Sequence, residues 1–352
     1  MKILIFSQPF YPIIGGSVVT THYLATVMSE QGHNVIVLTP TPDSMDRDKG
    51  GNRGHYCVVR TSGYFRFAWF IWKSDIVIIK GGLSKKIGLL SVLLRKKFIP
   101  FYEGSGPLFA SEKGLLLHNV IAWSLARLAR YSLAVSDFAW KSKSLSSDCE
   151  HYVVRNPVNP LLEEKRFRNG IPAMINRPVD VSYVGSITAP KGALVFMKAL
   201  AELDAKGIVL NVNLVGPIME LNEEIKEAVN SFCYIKCNVF CAHNADELHE
   251  VYASTKCLVN PSMMTEGAPL TVIDAFLYGI PVIISDYPAL LEVVGDAGAS
   301  FRRGDHVHLA DTIERVLDDH ELLQNLSENS LRRYADFSFE KWKEKIRALP
   351  EL

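Results

Sequence analysis

Asn260-Pro-Ser-Met-Met-Thr-Glu266-Gly-Ala-Pro-Leu-Thr-Val-Ile-Asp274-Ala-Phe-Leu-Tyr-Gly279-Ile-Pro281-Val-Ile-Ile284 reads as strand end, loop, short helix and strand. One acid sits in the loop and a second follows eight residues later. That spacing sets Glu266 beside the helix N-terminus and Asp274 on its second turn. The first amides of a helix lack intrahelical partners and the macrodipole is positive there, so such an end collects phosphate. Flanking carboxylates accept hydrogen bonds from sugar hydroxyls. The segment suits a ligand that is part phosphate and part sugar.

Outward from this stretch the same alternation recurs. At the start, Lys2 to Ser7 is an apolar run of strand length, and Pro9 to Gly16 is a loop. Ser17 is placed to cap a helix bearing Val19, Tyr23 and Val27 on one face, with Gly32 stopping it before the strand Asn34 to Thr39. This is a βαβ unit, whose crossover is right-handed. Gly15-Gly16 does not fit G-x-G-x-x-G, which argues against a nicotinamide dinucleotide and fits a tight turn equally well. Residues 57–60, 75–80, 98–103 and 132–136 read as further strands, with helices at 84–95 and about 115–131.

The texture then changes. Arg155-Asn-Pro-Val-Asn-Pro160, Glu163 to Arg168 and Gly170 to Pro178 are polar and rich in proline, and read as a domain boundary. A second series follows: strand Val181 to Gly185, loop Thr188-Ala-Pro-Lys191-Gly192, a helix with two apolar rows, then strands at 209–216, 238–241, 256–260 and 282–285. The expectation is an α/β protein of two Rossmann-like halves facing each other across a cleft. Residues 1–160 form the first and 161–336 the second, with a final helix at about 337–352 returning to the first.

The bulk numbers agree with two ordinary cores. The chain has 352 residues, 48% hydrophobic and 22% charged. Lysine plus arginine and aspartate plus glutamate each total 38, so nothing global points to nucleic acid. No signal-like stretch or membrane-length apolar run stands out, which predicts a cytoplasmic protein. Cysteines 57, 149, 233, 237, 241 and 257 lack the tight spacing of a structural zinc site. They read as thiols, those near Val239-Phe240-Cys241 lying in a buried strand. The aromatic run Tyr64 to Lys73, with Lys85-Lys86 and Arg95-Lys96-Lys97 around the next apolar helix, has two readings. It is a core helix with snorkelling lysines, or a face that docks on an anionic inner leaflet.

Taken together, these residues resemble glycosyltransferase family 4 of the GT-B fold. The resemblance rests on Glu266-Gly-Ala-Pro-Leu-Thr-Val-Ile-Asp274, which looks like an E-x7-E signature, and on Gly15-Gly16, Val135-Ser136-Asp137, Asn156-Pro-Val-Asn159, Val184-Gly185-Ser186, Lys191-Gly192 and Leu214-Val-Gly216. It implies a retaining, metal-independent hexosyltransferase using a nucleotide-diphosphate sugar, a uridine donor first and a guanosine donor second, with no cofactor. Its acceptor would be a saccharide or lipid-linked saccharide of the cell surface, bound by the first half, residues 1–160, while the second, 161–336, would bind the nucleotide sugar. Lys191 would hold the donor diphosphate, Glu266 and the backbone of Gly267, Ala268, Pro269 and Leu270 would meet the sugar and phosphate, and Asp274 the ribose. Gly15 and Gly16 would line the opposite wall. Ser186 stands where the family has an arginine, Asp274 where it has a glutamate, and Glu103 where it often has a histidine. Glu103 is therefore a candidate base. The same departures motivate a non-catalytic partner subunit as an alternative, beside a nucleotide-sugar epimerase or sugar phosphorylase.

Overall fold

The computed structural model describes residues 1–13, 15–42, 55–81, 84–104, 124–143, 150–218 and 221–350. The expected helix at 115–131 and Cys149 lie largely or wholly outside them. Two compact units form: Met1–Asn156 with Trp342–Leu352, and Pro157–Lys341.

In the first unit, seven strands run β1 (Lys2–Phe6), β2 (Asn34–Thr39), β3 (Cys57–Arg60), β4 (Ile76–Lys80), β5 (Lys97–Tyr102), β6 (Ser132–Ala134) and β7 (His151–Val153). Their order in the sheet is β3-β2-β1-β4-β5-β6-β7, and every pairing is parallel. The central strands carry the longest apolar runs because both faces are covered: Ile3 pairs Ile76 and Ile5 pairs Ile78, all buried. Helices Gly16–Glu30, Tyr64–Lys73 and Lys85–Leu93 connect them. Leu4, Phe6, Phe67, Ile71, Val77 and Phe98 share a core cluster.

In the second unit, six parallel strands follow: β8 (Val179–Val184), β9 (Leu210–Val215), β10 (Ile235–Phe240), β11 (Thr255–Asn260), β12 (Val282–Ser285) and β13 (Gly298–Phe301). The order is β10-β9-β8-β11-β12-β13. Helix Ala193–Ala205 follows β8, and its two apolar rows bury Phe196, Met197, Leu200 and Leu203 against Val181, Leu214, Leu309 and Ile313.

Three local expectations change. The polar stretch after Asn159, read from sequence only as a domain boundary, forms a helix, Pro160–Asn169. Asn159 caps it by accepting from the Leu161 amide, and Pro160 at the first position loses only an amide that would be unpaired anyway. Ser17 does not cap its helix; Gly15 holds that position. The strand around Cys237 and Cys241 is an edge strand with alternating burial, so both thiols are half-covered, Cys233 is exposed, and Cys257 alone among the described cysteines is buried.

Phe196 is fully buried and stacks 6.0 Å from Tyr183. Phe196→Ala should lower stability by ~3–5 kcal/mol. Val209→Ala, at an exposed position, should stay within ~0.5 kcal/mol. Urea midpoints measure both.

Candidate functional site

A doubly wound parallel sheet binds ligands beyond its C-terminal strand ends, where the strand order reverses. In the second unit that reversal lies between β8 and β11. The loops leaving these two strands carry Ser186 to Gly192 and Pro261 to Pro269.

The two loops touch through backbone. The Met263 amide donates to the Pro190 carbonyl at 2.9 Å. Gly192 has φ of 80°, and a Cβ there would stand 1.9 Å from the Pro261 carbonyl oxygen. Only glycine accepts both the left-handed backbone and the contact. A second close approach lies beside it. Gly216, after β9, has φ of 146°, and its Cβ would stand 1.9 Å from the Gly185 carbonyl oxygen.

This packing brings side chains together that are 75 residues apart. Lys191 Nζ lies 2.6 Å from Glu266 Oε1. Ser262 Oγ donates to the same oxygen at 2.8 Å, and its carbonyl accepts from Ser285 Oγ at 2.8 Å. Ser262 is buried, so it holds the carboxylate from beneath, while Lys191 remains about one-third exposed. Gly267 and Ala268 are buried immediately after Glu266. Pro269 leads into helix Leu270–Leu277, which has no side-chain cap and no acid in its first turn. Its N-terminus therefore keeps its dipole uncompensated by its own residues. Ser186 is half-buried, and its carbonyl accepts from Tyr183 Oη at 2.7 Å. Ser262 had no role in the sequence reading, although it lies inside the decisive stretch. A serine four residues before the acid was its only signal.

Asp274 is on the second turn of that helix and buried. Its Oδ1 accepts from the Asn159 backbone amide at 2.8 Å, which ties it to the start of helix Pro160–Asn169. Burial pushes its carboxyl up to about 7, with the Asn159 amide pulling the other way.

Gly15, Gly16 and Glu103 belong to the first unit. Gly15 and Gly16 are exposed at the start of helix Gly16–Glu30. Glu103 follows β5 and contacts Ser17, Thr20 and Lys80. Lys80 was not singled out from sequence, because a lysine closing an apolar strand reads as its solvated end.

With this geometry described, known proteins offer a comparison. Residues 164–333 match the model of the family described as glycosyl transferases group 1. That match covers most of the second unit, and the fold of the whole chain is GT-B. It is similar to the capsular polysaccharide biosynthesis glycosyltransferase CapM of Staphylococcus aureus, with 24% identity over 282 residues, covering 74% of this chain and 72% of that one. Its fold is similar to that of Anabaena HepE in complex with UDP and glucose (TM-score 0.75, 16% identity, 100% of both chains). Sucrose-phosphate synthase from Thermosynechococcus elongatus is equally alike in fold (TM-score 0.75, 19% identity, 98% of this chain and 97% of that one).

Asp274 gives the site a measurable pH signature. Its folded value of about 7 exceeds the ordinary 3.8. Its contribution to stability is therefore fully present below about 4 and lost as pH rises through about 7. Asp274→Asn keeps an acceptor for the Asn159 amide but cannot ionise. The variant should gain most melting temperature relative to the parent at pH 8 and clearly less at pH 5. Thermal melts at the two pH values check this.

Proposed function

We propose that this chain is a retaining, metal-independent hexosyltransferase of family 4. It would move a sugar from a nucleotide diphosphate, a uridine donor first and a guanosine donor second, to a saccharide or lipid-linked saccharide in cell-surface polysaccharide synthesis. The Lys191–Glu266 pair at the reversal point of the second sheet carries this reading. It sets one cation and one carboxylate side by side where strand order favours a ligand.

In this reading the pair opens to admit the donor. As the glycosidic bond breaks, charge develops on the leaving diphosphate. Lys191 and the amides at the start of helix Leu270–Leu277 stabilise that charge through preorganised donors. Glu266, released from Lys191 but still held by Ser262, accepts hydrogen bonds from sugar hydroxyls. The Gly267–Leu270 backbone follows the sugar and phosphate. With Ser186 supplying no charge, Lys191 is the principal cation of the diphosphate site. Asp274 lies on the helix that would face the ribose. HepE's complex with UDP and glucose supports a uridine donor, and CapM's role in capsule synthesis supports a polysaccharide acceptor.

A lipid-linked acceptor would bring the enzyme to the inner leaflet, and the exposed face of helix Tyr64–Lys73 supports such docking. Phe67 and Ile71 face the core, while Phe65, Trp69 and Trp72, spaced to share one face, are exposed at 94%, 48% and 60%. Leu89 and Leu93 of the following helix are also exposed. Leaving aside the buried Lys80, residues 60 to 97 hold Arg60, Arg66, Lys73, Lys85, Lys86, Arg95, Lys96 and Lys97 against one acid, Asp75. In a chain of zero net charge this segregation suits an anionic lipid surface. No described helix is long and apolar enough to cross a membrane.

The competing reading, a non-catalytic partner subunit, is favoured by Asp274 being tied to the Asn159 amide. Turnover separates the two. The purified chain should hydrolyse a uridine-diphosphate hexose slowly and transfer the hexose to acceptor. Lys191→Ala should reduce both by ~10²–10³. Binding of the nucleotide should be visible as a melting shift, ~2.7 kcal/mol at 100 times the dissociation constant. No hydrolysis and no shift would reject the enzyme reading.

Membrane docking is tested separately. The parent should float with vesicles containing phosphatidylglycerol at low salt and not with phosphatidylcholine alone. A Phe65→Ser, Trp69→Ser, Trp72→Ser triple variant should stay in the soluble fraction. Parent protein remaining soluble with anionic vesicles would reject the docking face.

A further inference from the structure

The first sheet also reverses its strand order, between β1 and β4, and a buried charge cluster stands at that point. Lys80 ends β4, a strand buried at every position, and its side chain is fully shielded. A lone ammonium there would be strongly unfavourable. It is paired: Nζ lies 2.5 Å from Glu103 Oε1, donates to Thr20 Oγ1 at 3.1 Å and sits 4.0 Å over the Phe101 ring.

Glu103 is equally engaged. Its Oε1 also accepts from Thr20 Oγ1 at 2.9 Å, its Oε2 accepts from Ser17 Oγ at 2.5 Å, and its side chain is 12% exposed. Burial pushes the carboxyl up, but the Lys80 ammonium and the hydrogen bonds from Lys80, Ser17 and Thr20 outweigh it and hold it below the ordinary range. Burial likewise lowers Lys80, with Glu103 opposing. A general base needs basicity near neutrality and a side open to the proton it takes. Glu103 has donors on both oxygens and lowered basicity.

The cluster has a mechanical consequence. Helix Gly16–Glu30 has no side-chain cap and no acid in its first turn. Ser17 lies on that first turn and Thr20 at the start of the second, and Glu103, just after β5, supplies the anion the helix start lacks. Lys80 holds the anion in place.

We infer that Glu103 is a positioning residue. Fixed by Lys80, it clamps Ser17 and Thr20 and thereby sets the Gly15-Gly16 start of their helix, in the half that the proposed reaction gives to the acceptor. It does not take the acceptor's proton. The kinetic consequence rests on the proposed glycosyl transfer; the clamp does not.

Ser17→Ala tests the clamp while leaving the carboxylate and Lys80 intact. In the clamp, Ser17→Ala and Glu103→Gln each raise the acceptor KM about tenfold, with kcat within about twofold, and the double variant is no worse than either. Added formate restores nothing. If Glu103→Gln instead lowers kcat by about 10²–10⁴ while Ser17→Ala behaves as the parent, or if formate rescues Glu103→Gln, Glu103 is a base and the inference falls. The same three variants are unfolded in urea. Non-additive destabilisation supports the clamp and additive destabilisation overturns it. Should Glu103→Gln fail to fold, Glu103→Met with Lys80→Met removes both charges and takes its place in both assays. A parent without any transfer would reject the proposed function, while the urea cycle would still decide the clamp.

Discussion

The Pro261 carbonyl oxygen stands 1.9 Å from where a side chain on Gly192 would begin. That contact is the constraint on which the second unit's site depends. It closes the loop after β8 onto the loop after β11, and the Met263 amide fixes the approach by donating to Pro190. Lys191 and Glu266 then have no freedom to sit far apart. A larger residue at 192 would push the loops away from each other and separate cation from carboxylate. The stretch from Gly267 to Leu270 inherits its position from the same contact, because it continues the loop that Pro261 begins.

Each unit carries a lysine–glutamate pair near the reversal point of its sheet, and the two pairs differ in burial. Lys80 is fully shielded and Glu103 nearly so, with three donors on the carboxylate. Breaking that pair would strand a charge in a poorly solvated place, so it behaves as a fixed strut. Lys191 is about one-third exposed, and water can replace its partner. A pair of that kind exchanges partners at little cost, which a donor-binding lysine requires. Similar chemistry therefore supports a rigid support in one unit and a displaceable contact in the other, and burial decides which.

Much of this was legible in the chain. Apolar runs of strand length gave most strands, because strands covered on both faces must be apolar throughout. The decisive stretch gave the loop acid and the helical acid at their observed places. The misreadings have particular causes. The helix that starts at Asn159-Pro160 went unread because proline and charge dominate the stretch, and Leu162 is the only fully buried anchor of that helix. Ser17 looked like a cap because serine favours that position, but an ionised carboxylate 86 residues away offers its hydroxyl a stronger bond. The cysteine strand looked buried because its composition is apolar, and only its place at the sheet edge halves its cover.

The sequence by itself determined the alternation of strand and helix and the spacing of Glu266 and Asp274, because these follow from local periodicity. Only the tertiary structure decided which charges meet. Lys191 found Glu266, Lys80 found Glu103, and Asp274 found the Asn159 amide because the strand order of each sheet brings distant loop ends together. Side-chain type states what a residue can bond; burial and neighbours, set by long-range pairing, settle what it does bond.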